Sequence, residues 1–140
     1  MNTLGFTRFI LAGLLLSFPV VVSRAGDSWP QLQGNAQRSG DVADEVVPES
    51  LGLAGTVALS DGIYASPVIS DGTAYVVDGS GVIFAIDLAT LKIQWRLATE
   101  GGPGNCNNVA APAVAGKFLH IGTTAGYYYV LNRENGAVVK

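Results

Sequence analysis

Side chains able to carry chemistry are few in this chain, and their spacing is that of turns rather than of a reaction centre. His120 is the only histidine and Cys106 the only cysteine among 140 residues. A Ser/His/Asp relay or a multi-histidine metal site cannot be assembled from one imidazole in a strand-like run, Phe118-Leu119-His120-Ile121. A half-buried strand position is the expectation for His120. No glycine-rich phosphate loop leads into a helix, and no cysteine pair has metal-binding spacing. Asp61, Asp71 and Asp78 recur near turns, where hard carboxylate oxygens could suit calcium. Aspartate is equally expected at Asp71-Gly72 and Asp78-Gly79 for backbone reasons, because it bonds its own turn. No catalytic residue and no metal ligand is therefore assigned. Cys106 can form no disulfide within the chain, so a quiet thiol is expected in the turn-rich loop Gly101 to Asn108.

The elements that hold these residues are strands. Val82-Ile83-Phe84-Ala85-Ile86-Asp87 and Tyr127-Tyr128-Tyr129-Val130-Leu131-Asn132 are short β-branched or aromatic runs flanked by Gly, Asp, Asn and Thr. They lie 45 residues apart, and the same shift places Pro67 on Pro112, Gly81 on Gly126, Asp87 on Asn132 and Thr90 on Asn135. Self-similarity at this period marks propeller blades or another stacked array. The first unit predicts strands near 64–70, 74–78, 82–87 and 92–97, and the second near 109–115, 117–122, 127–132 and 137–140. Leu53 to Leu59 could form a further strand. Along Tyr127-Tyr128-Tyr129 the side chains alternate, so Tyr128 opposes its neighbours and at least one ring meets solvent or a blade interface. The fold class is all-β, with blades of four antiparallel strands.

Ala85, Asp87, Thr90, Lys92 and Trp95 stand as A-x-D-x-x-T-L-K-x-x-W. The pattern resembles the tryptophan-docking repeat of pyrroloquinoline quinone (PQQ)-type β-propellers, A-x-D-x-x-T-G-K-x-x-W, with Leu91 where that family has glycine. The second unit keeps Gly136 but has Val130, Asn132, Asn135, Ala137 and Lys140 at the other positions, a degenerate copy. Trp29-Pro30-Gln31-Leu32-Gln33-Gly34 resembles the W-P-x-[WF]-x-G segment that precedes the blades in exported members. The resemblance implies a structural role for Trp95, its indole docked between neighbouring blades with Ala85 leaving room for the ring. An indole buries on the order of 150–250 Å² and keeps one N–H that needs an acceptor, which suits it to such a clamp.

Arg8 precedes a mainly apolar stretch from Phe9 to Val22, and Ser23-Arg24-Ala25 supplies small residues for a signal peptidase. Residues 1–25 are expected to be a signal peptide cleaved after Ala25, 26–52 an extended N-terminal arm, and 53–140 the propeller repeats, about two blades. About 14 apolar residues broken by Ser17 and Pro19 fall short of the ~20 that a spanning helix needs. No cysteine directly follows to carry a lipid. The expected location is the periplasm or the cell exterior, with no stable membrane anchor after cleavage. Removing Arg8 and Arg24 leaves 6 basic against 11 acidic side chains, a net charge near −5 that does not attract nucleic acid.

Propeller rings close with about four to eight blades, so two imply the front part of a longer protein, ahead of a truncated gene or a ring built from copies. Two functions are carried forward. One is a non-catalytic exported propeller that binds protein or polysaccharide as a scaffold, with no cofactor. The other is the N-terminal part of a PQQ-dependent quinoprotein alcohol dehydrogenase, which the resemblance would equip with PQQ and calcium. That family commonly carries an adjacent Cys-Cys pair beside the cofactor, whereas Cys106 is flanked by Asn105 and Asn107.

Overall fold

The computed structural model describes residues 28–41, 50, 52–100 and 110–140. The expected signal peptide, Cys106 and the Gly101–Asn108 loop lie outside them, as do 42–49 of the expected arm. The described chain is a four-stranded antiparallel sheet followed by a three-stranded one. The first has β1 (Val68–Ser70), β2 (Thr73–Val77), β3 (Val82–Asp87) and β4 (Lys92–Ala98) in sequence order, and the second has β5 (Ala113–Ala115), β6 (Phe118–Gly122) and β7 (Tyr128–Asn132). These are consecutive meanders, the unit of a propeller blade.

The 45-residue register holds at the level of individual hydrogen bonds. Between β2 and β3 the Gly81 N–H donates to the Asp78 carbonyl at 2.9 Å and the Val82 N–H to Asp78 Oδ1 at 2.9 Å. Between β6 and β7 the Gly126 N–H donates to the Thr123 carbonyl at 3.1 Å and the Tyr127 N–H to Thr123 Oγ1 at 3.2 Å. Two different side chains with an acceptor oxygen thus fix the same turn.

Side chains alternate between the two faces of each strand, and in β2 and β3 both faces are buried. Val68, Tyr75, Val77, Ile83 and Ala85 of the first blade form one core with Leu119, Ile121 and Leu131 of the second, with Trp95, Leu97, Val114 and Tyr129 packed on its margin. The opposite face of the first blade gathers Ala74, Val76, Phe84 and Ile86, with Val57, Leu59, Ile69 and Val82 beside them. A sheet apolar on both faces is what stacking between layers requires, because each face must find a partner.

Three expectations about elements are corrected. Residues 53–59 are not a strand; they run across the first blade's outward face and bury Val57 and Leu59 by side-chain packing alone. Residues 137–140 form no regular fourth strand: they pair with β7 irregularly, through a bridge between Val138 and Leu131 and backbone bonds from the Asn132 N–H to the Ala137 carbonyl and the Val130 N–H to the Lys140 carbonyl, both at 2.8 Å, and from the Val139 N–H to the Val130 carbonyl at 2.7 Å. The described part of the arm is not extended: 31–40 turns repeatedly, with Gln33, Gly34, Arg38 and Gly40 at positive φ. Just before those turns, Trp29 pairs antiparallel with Ile69, and the Val114 N–H donates to the Pro30 carbonyl at 2.7 Å. Trp29-Pro30 therefore ties the first strand of each blade to the other, satisfying backbone groups at both edges.

Candidate functional site

A polar site lies where the second blade meets the first. Trp95 sits on β4 directly across from Ala85 on β3, and a bulge beyond that pair leaves Gln94 without a cross-strand partner. Ala85 is fully buried, so its small side chain admits the indole above it. The Trp95 Nε1–H donates to the Arg133 carbonyl of the second blade at 3.0 Å, and the Tyr75 hydroxyl donates to the same oxygen at 3.3 Å. The Tyr75 and Trp95 rings are tilted neighbours with centroids 6.1 Å apart. The far edge of the indole lies on Gly136, where a Cβ would stand 2.7 Å from Trp95 Cε3.

The Arg133 side chain turns back to the first blade. Its Nη1 donates to Ser70 Oγ at 2.6 Å, and its Nη2 lies 2.6 Å from Asp71 Oδ2. The guanidinium is largely covered (22% exposed) while the carboxylate is open (75%), so the Coulomb part is screened and the paired hydrogen bonds carry the contact. Bonds from Arg133, then from Ser70, and the nearby positive charge hold the Asp71 carboxyl below its ordinary range. Burial pushes the Tyr75 hydroxyl up, so it stays protonated and able to donate.

Asp87 and Thr90 close the turn between β3 and β4. Asp87 Oδ1 accepts from the Thr90 N–H at 2.7 Å and from the Thr90 hydroxyl at 2.8 Å, and these bonds lower the carboxyl's affinity for protons. Lys92 opens β4, opposite Asp87 and exposed. The five residues of the sequence motif thus occupy one hairpin; Ala85 and Trp95 meet the second blade's side, while Asp87, Thr90 and Lys92 serve the turn. Sequence reasoning missed Arg133, Ser70 and Tyr75. Nothing in their local context signals the contact, because Arg133 accepts the indole through a main-chain carbonyl that any residue would supply. Gly136 carried a signal, as the glycine retained by the second copy.

A second contact binds the far end of β4. The Glu100 N–H donates to the Tyr129 hydroxyl at 2.9 Å, and the Glu100 carboxylate raises the proton affinity of the Tyr127 phenol. Tyr127 and Tyr129 lie on one side with ring centroids 6.2 Å apart, and Tyr128 points the other way, its hydroxyl 2.9 Å from His120 Nδ1. His120 is half-buried on β6.

Asp71, Thr73, Tyr75, Gln94, Arg133 and Glu134 line a cleft of about 390 Å³ between the blades. Its cation is already paired with Asp71, and Glu134 adds a second carboxylate, so a polyanionic quinone such as PQQ would meet repulsion there; the cleft does not fit it. The turn aspartates are engaged locally. Asp61 accepts from Ser80 Oγ at 2.7 Å and from the Gly62 N–H at 2.7 Å, while Asp78 holds Ser60 and the Val82 N–H. Among the described residues no three His, Cys, Asp or Glu side chains converge as a metal would require. The described residues also include no helix long and apolar enough to cross a membrane.

Residues 53–140 match the family model described as outer membrane protein assembly factor BamB. The outer membrane protein assembly factor BamB of Legionella pneumophila (strain Paris) is 24% identical over 97 residues, which cover 63% of this chain and 24% of that protein. The chain thus spans about a quarter of the curated relative it matches. Among solved structures, quinohemoprotein alcohol dehydrogenase from Comamonas testosteroni aligns with a TM-score of 0.68 at 23% identity, over 81% of this chain and 19% of that one. BamB from Moraxella catarrhalis aligns with a TM-score of 0.50 at 23% identity, over 57% of this chain and 23% of that one. Quinohemoprotein alcohol dehydrogenase ADHIIG from Pseudomonas putida HK5 gives 0.51 at 21% identity, over 60% and 13%. At these identities the structures share the fold, a PQQ-like repeat propeller.

Proposed function

The chain belongs to the family of PQQ-like repeat propellers described as outer membrane protein assembly factor BamB, and from that membership we propose that it is an exported, non-catalytic module that binds protein. The family match over the blades is the observation that carries this reading. The chemistry of the site agrees with it: the indole and the guanidinium join one blade to the next, and the Asp87 carboxylate closes its own turn. A rigid stack of blades offers its loops and rims to a partner. The leader-like segment ending at Ala25 supports delivery to the periplasm, where a protein that assists outer-membrane assembly would act.

The test uses the full-length protein in two assays. Supplied with PQQ and Ca²⁺, it is expected to give no dye-linked oxidation of primary alcohols; robust turnover would overturn the reading in favour of a quinoprotein dehydrogenase. In equilibrium binding against purified proteins of the outer-membrane assembly machinery from the same cell, saturable binding is expected. Its absence would remove the protein-binding role.

A further inference from the structure

Because the blades are copies, every position at the interface between them has a counterpart on the first blade's outward face. The second blade presents Val114, Leu119, Ile121, Tyr129 and Leu131 to the first. Their counterparts 45 residues earlier are Ile69, Ala74, Val76, Phe84 and Ile86, the apolar cluster of that outward face. Arg133, which accepts the indole, corresponds to Leu88. The Arg133 N–H donates to the Lys117 carbonyl at 3.1 Å and the Leu88 N–H to the Gly72 carbonyl at 3.0 Å. Gly136, which supports the indole, corresponds to Leu91. Their φ angles are +71° and +55°, and each N–H donates at 2.8 Å to the carbonyl four residues back, Asn132 or Asp87. The outward face has the backbone of a face that receives tryptophan, with a leucine where the indole's glycine would stand.

That side chain decides what lies there. A Cβ at Gly136 would stand 2.7 Å from Trp95 Cε3 and 2.9 Å from Cδ2, closer than a clamped ring tolerates. Leu91 carries that Cβ in the same left-handed conformation, which any residue but glycine adopts at a cost. An indole placed as on the second blade would collide with it. The leucine instead reaches out to Gly55, where a Cβ would overlap Leu91 Cδ1. Two and four residues further on, Val57 and Leu59 pack on the same apolar cluster.

We propose that Leu91 closes the tryptophan slot of the first blade's outward face and seats residues 52–59 there instead, with Gly55 as its complement. The inference is independent of the functional reading above, since it concerns only which segment covers that face.

Limited proteolysis of the full-length protein tests it. In Leu91→Gly, chymotrypsin is expected to cleave after Leu59 about tenfold faster, through local opening, while the bonds of β6 and β7 keep their resistance. Unchanged or slower cleavage there would overturn the proposal, because it would make Leu91 a mere source of backbone strain. Gly55→Val should produce the same acceleration by collision with Leu91. Introduced together with Leu91→Gly, it should protect Leu59 better than either change alone, as the valine enters the vacated space. Simple addition of the two effects would contradict direct seating. Resistance retained in β2 and β3 verifies that each variant is folded.

Discussion

The Trp95 indole donates to the main-chain carbonyl of Arg133, 38 residues away and on the next blade. One bond thus joins the most distinctive residue of the motif to a position with no motif at all. The ring also lies on Gly136 and beside Tyr75, so hydrogen bond and packing act on the same interface.

These two contributions separate by substitution. Trp95→Ala removes both and should lower the unfolding free energy by about 3 kcal/mol, the low end for a large aromatic because the ring is half-buried. Trp95→Phe keeps a ring and loses the donor, which should cost about 1 kcal/mol. Urea denaturation of both variants checks this, and equal losses would show that packing contributes little.

Gly136 should be intolerant for a reason specific to the indole. Gly136→Ala meets both a positive φ and the Trp95 ring, so a loss of about 2–3 kcal/mol is expected. Gly116 also has positive φ but open space around it, and Gly116→Ala should cost only about 1 kcal/mol. In a Trp95→Ala background the Gly136→Ala cost should fall to the Gly116 level. Persistence of the full cost would exclude a collision with the ring.

Acid should weaken the junction through Asp71. Its carboxyl is held below the ordinary value by bonds from Arg133 and Ser70, so folding binds fewer protons there than unfolding does. The stabilisation is present above the unfolded value, about 3.9, and is lost as pH falls through the lower folded value. Asp61 and Asp87 are shifted in the same direction by their turn hydrogen bonds. Melting temperature should therefore drop below pH 4, and Asp71→Asn should flatten that drop. Parallel pH profiles for the two proteins would exclude Asp71 as a contributor.

At the far end of β4, Tyr129→Phe removes the acceptor of the Glu100 N–H while leaving the ring. The expected cost is about 1 kcal/mol, with faster exchange of the Glu100 amide as the local readout. Unchanged exchange would mean that another acceptor serves that amide.

Much of this architecture was legible in the sequence because it is local. Strands β2, β3, β6 and β7 fall on largely apolar runs bounded by turn residues, β4 on an alternating one, and the turns at Asp78 and Thr123 need only a side-chain oxygen and a glycine three residues later. The fourth strand of the second blade was expected on register alone. Ala137 to Lys140 pairs with β7 only irregularly, where the first blade has the seven-residue β4. Residues 53–59 have a strand's apolar content but no paired neighbour, so the packing of Val57 and Leu59 on the outward cluster sets their course.

The sequence by itself determined the repeat and its period, because period-2 apolar patterning and turn chemistry act over a few residues. Only the tertiary structure decided what Trp95 docks on, that Arg133 reaches back to Asp71, and that Leu91 meets Gly55. Those contacts depend on main-chain carbonyls, positive φ angles and the register between sheets, which arise when the blades stack and leave no mark in any short stretch of residues.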